Sequence, residues 1–248
     1  LVEAHRCFDR AVWEEFDGIA RGAAVSHAEL LIGNGLTDVR DYVLFRGGRS
    51  SDTASTGDDG ECTSLGAAGD ACEDGQPIIG QTWDMHPEAR HYLVVIRRDP
   101  DEGPPTLSLT TVGCLSLIGM NAEGVGVCTS NLTPTDARAG ANYLFTITRA
   151  LRARSAGEAA RSIADARRLS GHDFLFCDVA QVVNVETTAR LNVLTTIATG
   201  VHVHTNHYRS PALARVAFDR AELAGSEWRA ARLTRAIERA LRPLTPGA

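Results

Sequence analysis

Cys62 is the residue whose surroundings most suggest chemistry. It stands in Gly60-Glu61-Cys62-Thr63-Ser64-Leu65, where a polar run of Gly, Ser, Thr and Asp from Gly47 to Gly60 gives way to strand-like sequence. A backbone cut is sterically feasible at such a loop-to-strand junction. A cut between Glu61 and Cys62 would set an α-amino group of pKa about 7.7 to 8 beside a thiol of about 8.5, so that one residue supplies both base and nucleophile. The same cysteine also fits a half-buried strand position, or one half of a Cys62–Cys72 disulfide across a hairpin. The remaining cysteines form no CxxC pair. Several of them lie among apolar neighbours, as in Val-Gly-Cys114-Leu and Gly-Val-Cys128-Thr, where Cys behaves as a small buried hydrophobe.

A second constellation is His202-Val203-His204 with His207 close behind. Strand alternation puts His202 and His204 on one face, a usable spacing for zinc and hence for a metal-dependent hydrolase. No further His, Asp or Glu cluster supplies an evident third ligand, and satisfied strand histidines are the commoner outcome. Gly119-Met-Asn-Ala-Glu-Gly-Val-Gly has the glycines of a phosphate loop but lacks the GK[ST] ending and a following helix. It is expected to be a hairpin turn at 121–124.

The elements that must hold these residues can be read from composition and periodicity. A chain of 248 residues with 44% apolar content can bury one sizeable core. The net charge of −6 offers no basic field for nucleic acid or anionic lipid, so neither is expected as a partner. All 25 of the Lys and Arg residues are arginine, which excludes a lysine Schiff base or a carbamylated lysine. No apolar run reaches the length of about 18 residues needed to cross a bilayer, and the cysteine usage favours a reduced, cytoplasmic setting.

Helical spacing over the first 46 residues predicts two helices, the second started by a Ser26/Glu29 capping box. Residues 47–60 are expected to be a surface loop. Strand patterns follow at 78–83, 92–97, 106–112, 115–120 and 125–129, together reading as one antiparallel meander over 61–131. A helix pair at 142–154 and 155–169, strands at 173–177, 182–187, 191–199 and 201–204, and a closing helix over 211–242 complete the order. Such an order suits an α+β fold of two sheets between helical layers, as a single domain.

Four segments in sequence order carry a resemblance: Cys62-Thr-Ser-Leu65; Ile79-Gly-Gln-Thr-Trp-Asp84; Gly119-Met-Asn-Ala-Glu-Gly-Val-Gly126; and His204-Thr-Asn-His-Tyr208. Over about residues 60–210 the chain resembles the N-terminal-nucleophile (Ntn) hydrolases of the acyl-coenzyme A:6-aminopenicillanate acyltransferase family, with choloylglycine hydrolases as more distant relatives. The resemblance implies a four-layer αββα sandwich, with a helical pro-segment and loop over 1–61 and the hydrolase core over 62–248. It implies Cys62 as the nucleophile, exposed by self-cleavage between Glu61 and Cys62, where many relatives have Gly in place of Glu61. It implies Asp84 as the carboxylate that holds the new amino end and Asn206 as an oxyanion donor. Asn131 is a candidate second donor, and Ser64 a candidate contact to substrate.

The activity implied is amide hydrolysis or acyl transfer through an acyl-Cys62 intermediate, with a small acyl-amide or acyl-CoA-like substrate and no metal or organic cofactor. A catalytically degenerate binding protein of the same fold is the alternative. Relatives carry further strands and an Arg-His motif beyond the Asn-His pair, whereas residues 207–248 read as a turn and an arginine-rich helix. A fold incomplete at its C-terminal end is therefore expected, with an exposed sheet edge open to a homo-oligomer or another chain.

Overall fold

A computed structural model describes residues 1–46, 61–218, 223–239 and 243–245. The loop expected at 47–60 lies outside the described residues.

The N-terminal segment forms four helices rather than two: α1 (Val2–Arg6), α2 (Arg10–Ala23), α3 (His27–Gly33) and α4 (Leu36–Phe45). The breaks have local causes. The Asp9 side chain accepts from the Val12 N–H and starts α2 afresh, and Ala24 ends it in the left-handed region at φ 55°. The expected Ser26/Glu29 capping box is present and starts α3.

Among the described residues ten strands follow: β1 (Glu61–Ala68), β2 (Ile78–Asp84), β3 (Leu93–Arg98), β4 (Thr106–Thr111), β5 (Ile118–Asn121), β6 (Gly126–Leu132), β7 (Gly171–Cys177), β8 (Val182–Thr187), β9 (Asn192–Ile197) and β10 (Gly200–His204). Between β6 and β7 lie α5 (Tyr143–Ala150) and α6 (Ala156–Ala164), each begun by a side-chain cap, from Asn142 and Ser155. The expected closing helix is two helices, α7 (Pro211–Ala214) and α8 (Leu223–Arg239). The β5–β6 turn falls where expected. Gly124 takes φ 81° there, while the Asn121 side chain accepts from the N–H groups of Glu123 and Val125 and donates to the carbonyls of Leu151 and Ala153.

The single meander expected over 61–131 is divided between two sheets. β1 and β2 join β10 in a three-stranded sheet of order β10-β1-β2, and the meander runs instead from β3 to β9 as a seven-stranded sheet. Strand periodicity reports a strand's faces but not its neighbours, and this is why sequence could not make the division. All pairings between these strands are antiparallel.

Helices α5 and α6 cover one face of the large sheet, packing Ile147 and Ile163 onto Val127, Phe174, Phe176 and Val185. The opposite face meets the small sheet through Ala68, Cys128, Leu175, Val182 and Ile197. A Cβ on Gly66 would come within 2.9 Å of Val182 Cγ1, which shows how closely β1 approaches β8. α8 lies on the outer face of the small sheet, against β10 and β1. The layers therefore run α8, small sheet, large sheet, α5–α6: an α+β fold with the expected αββα order. α2 and α3 close one end by packing Val12, Phe16 and Leu31 against Leu115 and Phe145. Among the described residues no helix is long and apolar enough to cross a membrane.

Candidate active site

Cys62 is the second residue of β1. Alternation turns it inward with Ser64, toward the large sheet, and leaves it 7% exposed. Opposite it is an edge of β6 that no strand occupies. β5 pairs only with Gly126 and Val127, so the backbone groups of Thr129 and Asn131 continue along the same edge unpaired by any strand. Side chains from the small sheet satisfy them instead. The Gln81 amide of β2 accepts from the Thr129 N–H at 2.8 Å and donates to the Thr129 carbonyl at 2.6 Å. Two positions along, the Asn131 carbonyl accepts from Asn206 Nδ2 at 3.1 Å. The Asn131 N–H and the Gln81 amide act on the Cys62 sulfur from this edge and favour its thiolate.

The backbone of Cys62 is held as firmly as its sulfur. Its N–H donates to Asn206 Oδ1 at 2.9 Å, and its carbonyl accepts from Arg229 Nη1 at 2.6 Å. Arg229 also donates to Thr63 Oγ1 at 3.0 Å and Asn206 Oδ1 at 3.1 Å, and its Nε lies 3.1 Å from Glu61 Oε2. One guanidinium thus bridges both sides of the Glu61–Cys62 peptide and the asparagine beside it. Burial pushes the Cys62 thiol up to about 12. The Gln81 hydrogen bond, the Arg229 charge and the Asn131 N–H pull it down, and the Asp84 charge pushes it up. In the uncut chain the sulfur is therefore a poor thiolate.

Asn206 is positioned by a network that sequence did not reveal. Its N–H donates to Ser226 Oγ of α8 at 2.8 Å, and Thr205 Oγ1 donates to the Ser226 carbonyl at 3.0 Å. Beneath the turn, Glu186 of β8 accepts from the N–H groups of Arg209 and Ser210, while His204 Nε2 lies 2.9 Å from its Oε1. His204 Nδ1 donates to the Thr205 carbonyl at 2.7 Å. Burial alone would lower the His204 pKa, but the Asp173 charge and the Glu186 hydrogen bond outweigh it and hold the imidazole above its usual range. Asp173, fully buried, is pushed up to about 6 by desolvation, against the pull of the His204 charge.

Most of the residues singled out from sequence meet here, in roles that differ in detail. Asp84 stands directly across the ladder from Glu61, exposed, and acts on Cys62 through its charge. Asn131 contributes its backbone. It pairs in register with His172, whose ring faces Asp38 of α4 and Tyr143 of α5, so its side chain leaves on the other face of the sheet. Ser64 Oγ donates to the His204 carbonyl at 3.3 Å and stitches β1 to β10. Cys62 and Cys72 are both free thiols, which corrects the disulfide alternative. Both nitrogens of His204 are engaged by Thr205 and Glu186, and among the described residues no group of three His, Cys, Asp or Glu converges as a metal site. That geometry does not fit the zinc alternative at His202 and His204.

Fold and site together define an αββα sandwich with a cysteine buried between its sheets at the start of a central strand. Residues 71–240 match the family described as acyl-coenzyme A:6-aminopenicillanic acid acyl-transferase, and the chain belongs to that family. The matched stretch contains Asp84, Asn131, Asn206 and Arg229 and begins after Cys62. Among solved structures, the chain is similar to a variant of conjugated bile acid hydrolase from Clostridium perfringens, at 15% identity over 71% of this chain and 57% of that one, TM-score 0.43. It is also similar to penicillin V acylase from Agrobacterium tumefaciens, at 14% identity over 54% of this chain and 49% of that one, TM-score 0.38. The chain thus spans about half the length of each. No curated protein matches it.

Proposed function

We propose that the chain is an Ntn-type cysteine amidohydrolase or acyltransferase that acts on a small acyl-amide or thioester after cutting itself between Glu61 and Cys62. The observation that carries this reading is the grip on Cys62: Asn206 on its N–H, Arg229 on its carbonyl, and the free edge of β6 on its sulfur. Any strand residue past the end of its neighbour needs partners for its backbone; what a structural cysteine does not need is one guanidinium that also reaches Glu61 and Asn206. The family to which the chain belongs is named for the same class of reaction.

In self-cleavage the Cys62 sulfur attacks the Glu61 carbonyl carbon and the peptide nitrogen leaves with a proton, giving a Glu61 thioester. Water then hydrolyses the thioester to a free Glu61 carboxylate and a free Cys62 thiol and amine. The new amine occupies the place where the Cys62 N–H now faces Asn206 Oδ1, with Asp84 one ladder position away. That amine removes the thiol proton, which overcomes the raised thiol pKa by supplying a base within the same residue. Attack on a substrate carbonyl creates an oxyanion within reach of Asn206 Nδ2 and the Asn131 N–H, fixed donors of the kind that stabilise charge appearing only in the transition state. The leaving amine takes the proton, and water or an acceptor amine releases the acyl group.

Nitroanilide amides of aromatic and fatty acids test this proposal. The wild-type protein is expected to release nitroaniline from at least one of them and to carry the matching acyl mass on the peptide that begins at Cys62. Release that persists in Cys62→Ala would contradict it.

A further inference from the structure

Asp173 of β7 and Glu186 of β8 stand directly opposite each other in the large sheet, and both are buried. Two carboxylates at one ladder position repel each other. His204 of β10, itself fully buried, reaches between them from the small sheet. Its Nε2 lies 2.9 Å from Glu186 Oε1 and 3.6 Å from Asp173 Oδ1, and its Nδ1 lies 2.7 Å from the Thr205 carbonyl oxygen.

These partners decide where the protons are. A backbone carbonyl can only accept, so Nδ1 carries a hydrogen. Glu186 is an acceptor as well: its Oε1 takes the Arg209 N–H and its Oε2 takes the Ser210 N–H at 2.8 Å. Burial opposes a charge on Glu186, but the His204 hydrogen bond, the His204 charge and these two N–H groups outweigh it and hold the carboxyl below its usual range. Facing an ionised carboxylate, Nε2 must carry a hydrogen too. A ring that donates from both nitrogens is an imidazolium.

The charges around it agree. Arg209, whose Nη1 donates to the Val203 carbonyl at 2.6 Å, is the second cation at this turn. Imidazolium and guanidinium together match the two carboxylates, whereas a neutral His204 would leave one buried negative charge uncompensated. The other two histidines nearby, His202 on the same strand and His207 in the turn, have rings 6.1 and 6.4 Å from that of His204. Burial pushes His202 down to about 4 and His207 below its usual range, and the His204 charge lowers both further. On the α8 side, Ser226 is neutral and the Glu227 charge acts on His207.

We propose that His204 is a positioning residue, which as a doubly protonated ring fixes both ends of the turn over 205–210 and so presents Asn206 to Cys62. At one end Nδ1 donates to the Thr205 carbonyl. At the other, Nε2 anchors Glu186, which accepts from Arg209 and Ser210. Asn206 lies between, with its Oδ1 on the Cys62 N–H. Loss of either ring proton turns one of these contacts into two facing acceptors, and that end of the turn is pushed away. Because the Asp173 charge and the Glu186 contact hold His204 above its usual range against burial, the charged ring persists at neutral pH and is lost as pH rises through that raised value. Given Cys62 as the nucleophile, self-cleavage and turnover then have an alkaline limit set by a residue that touches neither sulfur nor substrate.

Isotope-labelled histidine in the uncut Cys62→Ala chain reads the ring directly, so a failure of self-cleavage stays separate from a failure here. Two-bond proton–nitrogen spectra at neutral pH should show both His204 nitrogens protonated and His202 neutral. As His204 loses its proton on raising the pH, protection factors of the Arg209 and Ser210 amides should fall roughly 10-fold with the same midpoint. Asp173→Asn removes one facing carboxylate and should lower that midpoint by about 1 pH unit or more. Where Cys62 is kept, the cleavage rate should decline with the midpoint read from the ring. A His204 with a single protonated nitrogen at neutral pH overturns the proposal. So do Arg209 and Ser210 amides whose protection ignores its titration, a folded Asp173→Asn chain with an unmoved midpoint, or a cleaving chain whose rate does not follow it.

Discussion

Arg229 Nη1 donates to the carbonyl oxygen of Cys62 at 2.6 Å, joining α8 to β1. The same guanidinium reaches Asn206 and Glu61, so it fixes the residues on both sides of the Glu61–Cys62 peptide, the bond proposed to be cut, and the asparagine beside it. Arg229→Ala removes charge-assisted bonds of about 1.5 to 3 kcal/mol each. Self-cleavage should slow roughly 10-fold to 100-fold, measured as the decay of uncut chain by mass spectrometry. Arg229→Lys should rescue little, because a point charge cannot serve Cys62, Thr63 and Asn206 together.

Asn206 uses its two amide atoms differently, and substitutions can separate them. Its oxygen accepts from the Cys62 N–H and its nitrogen donates to the Asn131 carbonyl and, in the proposed reaction, to the oxyanion. Asn206→Asp keeps the acceptor and loses the donor. Turnover by the mature enzyme should fall by about 10²-fold to 10³-fold, while a KM near the wild-type value would show that ground-state binding is intact. A variant with unchanged kcat would remove Asn206 from the oxyanion site.

Gln81 replaces a missing strand on the free edge of β6. Gln81→Leu leaves the Thr129 N–H and carbonyl without partners, and stability should drop by roughly 1 to 3 kcal/mol, read from urea unfolding of the Cys62→Ala chain. Gln81→Glu retains the acceptor and should cost less.

Asp173 makes stability depend on pH. Its folded pKa of about 6 lies above its ordinary value of 3.8, so the folded state binds the extra proton between those limits and stability falls as pH rises through that window. Asp173 faces His204, with Glu186 its direct ladder neighbour. Asp173→Asn should flatten the fall, with a gain of roughly 1 to 3 kcal/mol above pH 7. Thermal melts from pH 4 to 8 check the sign.

Much of this frame was legible before any coordinates. The Ser26 cap, the turn closed by Gly124 and the strand at 182–187 rest on local chemistry that sequence states directly. The pairing of β1 with β10 does not, because the period of a strand is the same whatever lies beside it. Arg229 was missed among many surface arginines. A signal existed: Ser226, Arg229, Ala230, Leu233 and Ile237 recur at helical spacing and mark the inward side of α8, which puts this arginine with the buried stripe. Asn131 was found for its side chain and serves by its backbone, a distinction that depends on where β5 ends.

Self-cleavage is tested most directly by intact mass spectrometry of the freshly purified protein beside Cys62→Ala and Cys62→Ser. The account predicts two wild-type species, residues 1–61 and 62–248, both absent from Cys62→Ala and slow to form in Cys62→Ser. A wild-type chain that remains a single 248-residue species after prolonged incubation would contradict it.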